Sequence, residues 1–582
     1  MAHDLPALNA PLVLRLRGSQ RDMGAQLGEL SARHGGYEAA NSLYTGPPTM
    51  AARIIAAGLP HRARAGVESV ADALLSCQRR RLDDRRRRQF PELSARTRSG
   101  FDAMGIPADK ASAVFVMDVL QNAIGLVSRT GMFDHHEFVA VPSCSSLAVW
   151  GDATSTGELL HARNFDFPGA SIWDLGPTVV FCEPTDGLRY GFVTTRGVDA
   201  PGITCFNEAG LTLTVHTRFH RDVNYHGPSV IDLGHELIRT SRTLGDAASR
   251  ARELGAASTW GLLVSSAEEG RAVVIETTGR AVQVVEPAAG ASHLSCTNRY
   301  LSPALRSGEV TTSAAFVIDS DSRFAQLEAF VAKEGGGIGA DALEELLGDH
   351  AAPGLVDRTS DVTRLTGPSV VSPITVASIV AEPAAAAIRV SVGRAPAGYG
   401  PYLRVPWSWD GPVGEVELDT APGPVRGRSH RGDALTPDER ETSQRYSALT
   451  QQFVDRAEPH DVRAALADLT HRVPSEPGFH ALAAFLAIID DQLDTALDHL
   501  DRGLELESTP HPRARLLLYR SRVLSLVGRD TDAAADRAEL AAMTDPLTEH
   551  ERSAAAAESR HPMSRRKLRL ISPDFFNLDA HH

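Results

Sequence analysis

Hydrophobic positions change their spacing along the chain, and each change predicts a different kind of element. From residue 10 to about 130 they recur every three or four residues in segments such as RDMGAQLGELSARHG and ASAVFVMDVLQNAIG. Gly and Pro punctuate these segments, which predicts a helical N-terminal block. From Cys144 to roughly 300 the period drops to two, in the short runs SLAVW, ELLHARNFDF, TVVFCEP, RYGFVTT, LTLTVHT, WGLLVSS, RAVVIETT and AVQVVEP. Strands joined by tight turns favour antiparallel pairing. Helices at about 228–252, 321–333 and 341–349 fall in separate groups, and SIVAEP and AAIRVSVG return to the sheets. The expected fold class is α+β, built in layers. Residues 407–440 carry Gly, Pro and charge without a period, as a linker does. Beyond them, FLAIIDDQLDTALDHLDRGLEL and VLSLVGRDTDAAADRAELAAM share a helix-turn-helix texture about 38 residues apart, a loose tetratricopeptide-like pair. Two imperfect copies are fewer than a free-standing solenoid needs, so an ordinary bundle stays open as the alternative.

These shifts divide the chain into a helical segment at 1–143, a sheet-bearing core at 144–406, a linker at 407–440, a helical module at 441–548 and a tail at 549–582. Because the linker shows few apolar anchors, the module is expected to be removable without unfolding the core. A formal net charge of −14, from 59 basic and 73 acidic residues, disfavours nucleic acid as a partner. The run RRRLDDRRRR at 79–88 is broken by Asp83 and Asp84 and fits a solvated helix face. No stretch is seen that approaches the roughly 20 apolar residues of a bilayer span, so the expectation is a cytoplasmic chain with no membrane partner. The five cysteines (Cys77, Cys144, Cys182, Cys205 and Cys296) are odd in number and never spaced C-x-x-C, against a disulfide framework or a thiolate zinc site. The DHHE run at 134–137 cannot converge on one ion without a further ligand, and no metal or cofactor is expected. Serine-hydrolase, zincin and nucleotide-binding motifs are absent.

The chemistry-bearing signal is Cys144, at the start of the first strand in VPS-C-SSLAVWGD, followed about twenty residues later by HARNFDF with Arg163 and Asp166. If the two strands form a hairpin through GDATSTG, the start of one lies beside the end of the other. Cys144 and the Arg163/Asp166 pair then share a sheet edge, where a guanidinium favours the thiolate and a carboxylate can hold an ammonium. Each has a plainer reading: Cys144 as a small buried side chain, Arg163 and Asp166 as a structural ion pair. Cys182, Cys205 and Cys296 fall in strand-like runs and are expected in the core.

In order along the chain, LRGSQRDMGAQLGEL, FPELSARTRSGFDAMGI, CSSLAVWGDATSTGELLHARNFDF, FNEAGLTLTVHT, CTNRYLSP and SDSRFAQLE match motifs of a known family. Over about residues 12–405 the chain resembles the N-terminal-nucleophile hydrolases, specifically the isopenicillin N acyltransferase-like cysteine peptidases, relatives of choloylglycine hydrolases and acid ceramidase. The resemblance implies a four-layer αββα fold and a precursor that cleaves itself between Ser143 and Cys144. The freed α-amino group would then act as the thiol's base; such a group titrates near pH 8 and is covalently fixed beside it. By resemblance Asp166 would orient that amine, Arg163 would stabilise thiolate or substrate, and Asn298 would donate to the oxyanion, unless it only caps a turn. A second donor would come from the Asn207–Thr217 strand, where His216 or Thr217 stands in place of the family's Asn or Tyr, and Arg323 matches a further site position. The implied function is a self-processing amidohydrolase or acyltransferase acting on a small-molecule or peptide amide, with the helical module recruiting a protein or carrier partner. The alternative is an inactive scaffold of the same fold that recruits a partner through that module.

Overall fold

The computed structural model describes residues 11–41, 61–129, 143–350, 364–365, 367–455, 459–575 and 578–581. The DHHE run lies outside them. One sheet has six strands in the order β11-β2-β3-β12-β13-β14: β2 (Cys144–Val149), β3 (Leu160–Asp166), β11 (His293–Cys296), β12 (Thr375–Glu382), β13 (Ala387–Ser391) and β14 (Tyr402–Pro406). The other has nine, in the order β10-β9-β8-β7-β6-β5-β4-β1-β15. They are β1 (Leu12–Gly18), β4 (Pro177–Pro184), β5 (Tyr190–Thr195), β6 (Thr204–Asn207), β7 (Leu211–Thr217), β8 (Trp260–Ser266), β9 (Arg271–Thr277), β10 (Val282–Val285) and β15 (Gly414–Glu415).

Every residue of β2 is buried, because both faces of its sheet are covered. On the inner face Val179, Phe181, Phe206, Ile379, Ile388 and Val405 close a core between the sheets. On the outer face Leu147, Val149, Ala162 and Val380 pack on α7 (Ala314–Glu334) and α8 (Ala340–Leu347). The nine-stranded sheet turns Leu14, Val180, Leu213 and Val215 toward α1 (Gln20–Arg33), α5 (Val230–Thr240) and α6 (Leu244–Leu254). The layers run helix, sheet, sheet, helix: the αββα sandwich.

The N-terminal block is not all helix. Leu12–Gly18 is a strand that pairs in parallel with β4 and antiparallel with β15, so residues before Cys144 complete the nine-stranded sheet. Among the described residues of this block the longer elements are helices: α1, α2 (His61–Gln89), α3 (Pro91–Met104) and α4 (Val116–Ser128). On α1, a Cβ at Gly24 would lie 2.1 Å from the Arg96 carbonyl oxygen and one at Gly28 2.4 Å from that of Gly100, so this Gly-x-x-x-Gly spacing lets α1 and α3 touch backbone to backbone. The 79–88 run is only partly a solvated face: Arg86 is buried and paired with Asp232 of α5, both contacts 2.8 Å. Ala108–Ser128 is a helical run long and apolar enough to cross a membrane by length and composition, which corrects the expectation that no such stretch exists; 72% of its apolar window is buried inside the protein.

The segment at 407–440 is anchored. Trp407 stacks on Phe206 and Trp409 packs edge-on to Phe181, while Gly414–Glu415 adds an edge strand beside β1. The helices that follow are α9 (Pro437–Asp455), α10 (Pro459–Arg472), α11 (Pro477–Ile489), α12 (Leu493–Leu506), α13 (Pro510–Leu526), α14 (Asp530–Ala542) and α15 (Glu549–Glu558). Their core runs without a break into Leu365, Val371, Tyr399 and Leu435 of the preceding region. Arg364 forms a two-pronged ion pair with Glu507 at 2.7 and 2.9 Å, and the Ser447 hydroxyl donates to the Pro373 carbonyl at 2.5 Å. The expectation of a module held by few anchors is corrected: charge and Gly/Pro content in the connector hid the apolar side chains that fasten it. The tail folds back as well: β16 (Ser572–Asp574) pairs antiparallel with β17 (Asp579–His581), and Phe575, after β16, and Ala580, within β17, are buried in the module's core.

Candidate active site

Cys144 opens β2 and pairs with Phe165 of β3, so the hairpin inferred from GDATSTG exists and brings Arg163 and Asp166 to the nucleophile's end of the sheet. Cys144 is 2% exposed. Arg163 donates from Nη2 to Cys144 Sγ at 3.4 Å. Its guanidinium is fixed by the carbonyls of Ile203 at 2.6 Å and Val215 at 2.8 Å and by the Thr204 hydroxyl, and it lies over the Phe165 ring at 4.7 Å. Among the described residues no carboxylate is in hydrogen-bonding contact with it, and its charge is directed at the sulfur and at main-chain dipoles.

Asn298, in the loop after β11, accepts the Cys144 main-chain N–H at 2.9 Å and an Arg323 Nη2 proton at 2.9 Å through the same Oδ1. Two donors converging on one atom fix that atom as the oxygen. Nδ2 reaches the Thr217 carbonyl at 3.3 Å. In this arrangement Asn298 orients the nitrogen of Cys144, and one of its two Nδ2 protons goes to the Thr217 carbonyl. Arg323, fully buried on α7, also donates to the Cys144 carbonyl at 2.8 Å and the Ser145 hydroxyl at 3.0 Å, and pairs with Asp319 one helical turn back at 2.7 Å.

Asp166 is fully buried; its Oδ1 accepts from Thr375 Oγ1 at 2.6 Å and its Oδ2 from Ser143 Oγ at 3.3 Å. Burial pushes this carboxyl up to about 7, opposed by the Arg323 charge and the two hydroxyls and assisted by Asp319. Its main-chain N–H donates to the Ser143 carbonyl at 3.0 Å, the carbonyl of the peptide bond that precedes Cys144.

The strand at 207–217 divides. Thr214 of β7 meets Ser146 of β2 at 3.0 Å across the sandwich, so His216, two residues on, faces the same way, toward the nucleophile strand. Burial, with Arg163 and Arg218 nearby, holds His216 well below the ordinary histidine range and keeps it neutral. Thr217 offers its carbonyl to Asn298. Asn207 is not in the site: its Nδ2 donates to Ile238 and Ser241, its Oδ1 accepts from Ala209 and Leu211, and all of this holds the α5 end against the sheet. Cys182, Cys205 and Cys296 are buried, and burial raises each thiol, Cys296 to about 11, toward the inert protonated form. Two site residues escaped the sequence reading. Asp319 stands four before Arg323, a spacing that was legible as a helical ion pair; Thr375 carries no local signal and arrives only through the pairing of β12 with β3.

Residues 154–362 match the family model described as acyl-coenzyme A:6-aminopenicillanic acid acyl-transferase. The match begins ten residues after Cys144, so the nucleophile's assignment rests on motif and geometry. No curated protein matches the chain. Among solved structures, it is similar to a Caenorhabditis elegans N-acylethanolamine-hydrolyzing acid amidase ortholog at 15% identity, over 41% of this chain and 93% of that one, with a TM-score of 0.28. A variant of conjugated bile acid hydrolase from Clostridium perfringens aligns at 11% identity, over 47% of this chain and 100% of that one, with a TM-score of 0.27. Residues 154–362 are therefore similar to an acyl-transferase family, within a chain whose two sheets and flanking helices form an αββα sandwich.

Proposed function

We propose that the protein is a self-processing cysteine amidohydrolase or acyltransferase with Cys144 as nucleophile. The observation that carries this reading is the convergence of Arg163, Asn298 and Arg323 on three different atoms of Cys144, its sulfur, nitrogen and carbonyl oxygen. In the processing step the Cys144 sulfur attacks the Ser143 carbonyl carbon, whose oxygen is held by the Asp166 N–H. The C–N bond breaks, its nitrogen takes the thiol proton, and water hydrolyses the thioester to leave a carboxylate on Ser143 and an amine on Cys144. That amine keeps Asn298 Oδ1 as its partner, at the end of the sheet that also holds Asp166, and takes the thiol proton in each later turnover. A substrate amide is attacked in the same way; the leaving amine departs protonated, and water or another amine takes the acyl group from sulfur. Neutral His216, facing β2, is the donor best placed to supplement the oxyanion contacts.

Intact mass of the purified chain tests this. Cleavage gives pieces of 143 and 439 residues, counted before and from Cys144. An electrophilic acyl probe should label the larger piece at Cys144. A preparation that turns over amides while showing only the full-length mass sinks the processing claim.

A further inference from the structure

Asn298 holds the nitrogen of Cys144 from a loop, residues 297–302, that belongs to no strand, so its side chain must be fixed by contacts from outside the loop. The Thr297–Asn298 peptide unit is clamped at both ends. Arg218, one residue past β7, donates from Nη1 to the Thr297 carbonyl, and the Asn298 main-chain N–H donates to Ser320 Oγ of α7 at 3.0 Å. The far side of the loop is held by Glu276 of β9, whose two carboxylate oxygens accept the N–H groups of Leu301 at 2.7 Å and Ser302 at 3.0 Å. Arg218 Nη2 lies 3.7 Å from Glu276 Oε1 and 3.3 Å from Cys296 Sγ, and both charged side chains are wholly buried.

One buried ion pair thus grips the loop on either side of Asn298. Both of its members come from the nine-stranded sheet, while β2, which carries Cys144, and β11, which leads into the loop, belong to the six-stranded one. The pair therefore ties the position of Asn298 Oδ1 to the spacing between the two sheets. Gly261 makes room for it. This residue of β8 stands opposite both His216 of β7 and Glu276 of β9, and a Cβ there would lie 2.6 Å from Arg218 Nη2 and 2.8 Å from its Cζ. Glycine inside a strand weakens it and marks a close approach; here the approaching group is the guanidinium crossing β8 to reach Glu276.

We infer that Arg218 and Glu276 are positioning residues of the Cys144 centre, acting through Asn298 to set the oxygen that receives the Cys144 nitrogen. The inference rests on Cys144 being the nucleophile. In the uncleaved chain that nitrogen is the leaving group of self-cleavage, and in the cleaved chain it is the base for the thiol. A displaced Asn298 Oδ1 therefore slows both reactions, while the fold and the number of competent sites stay as they were.

Removing either charge would strand the other in a dry interior, so the test variants keep both. Gly261→Ala pushes the guanidinium aside, and Arg218→Lys keeps the charge but loses the planar fork. Self-cleavage is timed by intact mass on full-length chains made by cell-free translation that is then halted with an inhibitor. Alkylation of Cys144 by iodoacetamide is followed on the same chains, its rate reporting the thiol's activation and its final extent the fraction of competent sites. Each variant should slow self-cleavage about tenfold and alkylation about threefold, with the final extent and the urea midpoint close to the parent's. In an Asn298→Ala background, which still presents the thiol to iodoacetamide, the same two changes should alter the alkylation rate by less than about 1.5-fold, because the residue they act through is gone. Soluble variants with the parent's rates, losses that follow the final extent of alkylation, equal losses with and without Asn298, or failure of both variants to fold each overturns the inference. Failure of the Cys144 reading shows separately, as an unsubstituted chain that neither cleaves itself nor takes the acyl probe.

Discussion

Replacing Asp166 by Asn in the uncleaved Cys144→Ala chain should make the sandwich more stable at pH 8 and leave it nearly unchanged at pH 4. Burial raises this carboxyl from 3.8 to about 7, so between those values the unfolded chain has lost the proton and the folded chain keeps it. The penalty on folding is absent below about pH 4, grows as pH rises, and is complete above about pH 7. At roughly 1.4 kcal/mol per pH unit, it reaches at most about 4 kcal/mol at pH 8. Asn keeps an acceptor for Thr375 Oγ1 and the main-chain N–H that holds the Ser143 carbonyl, so the geometry survives while the charge does not. The assay is urea unfolding followed by tryptophan fluorescence. All five tryptophans (Trp150, Trp173, Trp260, Trp407 and Trp409) lie in the catalytic half of the chain, so the signal is blind to the C-terminal helices. The parent should lose stability from pH 4 to pH 8 more steeply than the Asn variant. Identical pH profiles, or an Asn variant less stable at pH 8, would refute the account of Asp166 as a buried carboxyl held largely protonated. In the cleaved enzyme the adjacent ammonium favours the carboxylate, and the same substitution should there lower turnover by about two orders of magnitude or more.

Cys144→Ala should abolish self-cleavage and turnover, as judged by intact mass and amide hydrolysis; Cys144→Ser should still cleave slowly, and Cys296→Ala should do both at close to the parent rate. Arg96→Met should leave Asp199 unpaired, since three contacts of 2.8 to 3.1 Å bind them, and cost about 3–5 kcal/mol by urea denaturation. Because β1 and these ion pairs anchor the 143-residue piece, the two pieces of a cleaved parent should co-elute on gel filtration under native conditions. Truncation after residue 435 should expose Val371 and Tyr399 and yield insoluble or uncleaved protein; a soluble, self-cleaving truncation would show that the shared core is dispensable.

Local pattern was enough to place Cys144 at a strand start, to join it by a short hairpin to Arg163 and Asp166, and to mark where sheets give way to helices. These are properties of neighbours in sequence: a period of two, a turn, a register set by a few residues. The motif order pointed to the sandwich and singled out Asn298 and Arg323, while their contacts with the Cys144 nitrogen and carbonyl came only from the structure. What the sequence did not disclose depends on contacts between distant segments. Leu12–Gly18 is as short and apolar as a helix turn, and only its slot between β4 and β15 makes it a strand. Asn207 and His216 are equally polar members of adjoining strands; packing against α5 engages every hydrogen-bonding atom of the first side chain and turns the second toward the nucleophile. Asp166 is an ordinary carboxylate in the sequence and becomes a group near 7 only when β12 closes over it. The C-terminal helices read as a detachable module because polar residues dominate their connector, yet Tyr399, Leu435 and the Arg364–Glu507 pair merge them with the core. Spacing along the chain determines which face a residue takes. Burial, charge and partnership belong to the assembled layers, where side chains hundreds of residues apart share one dry interior.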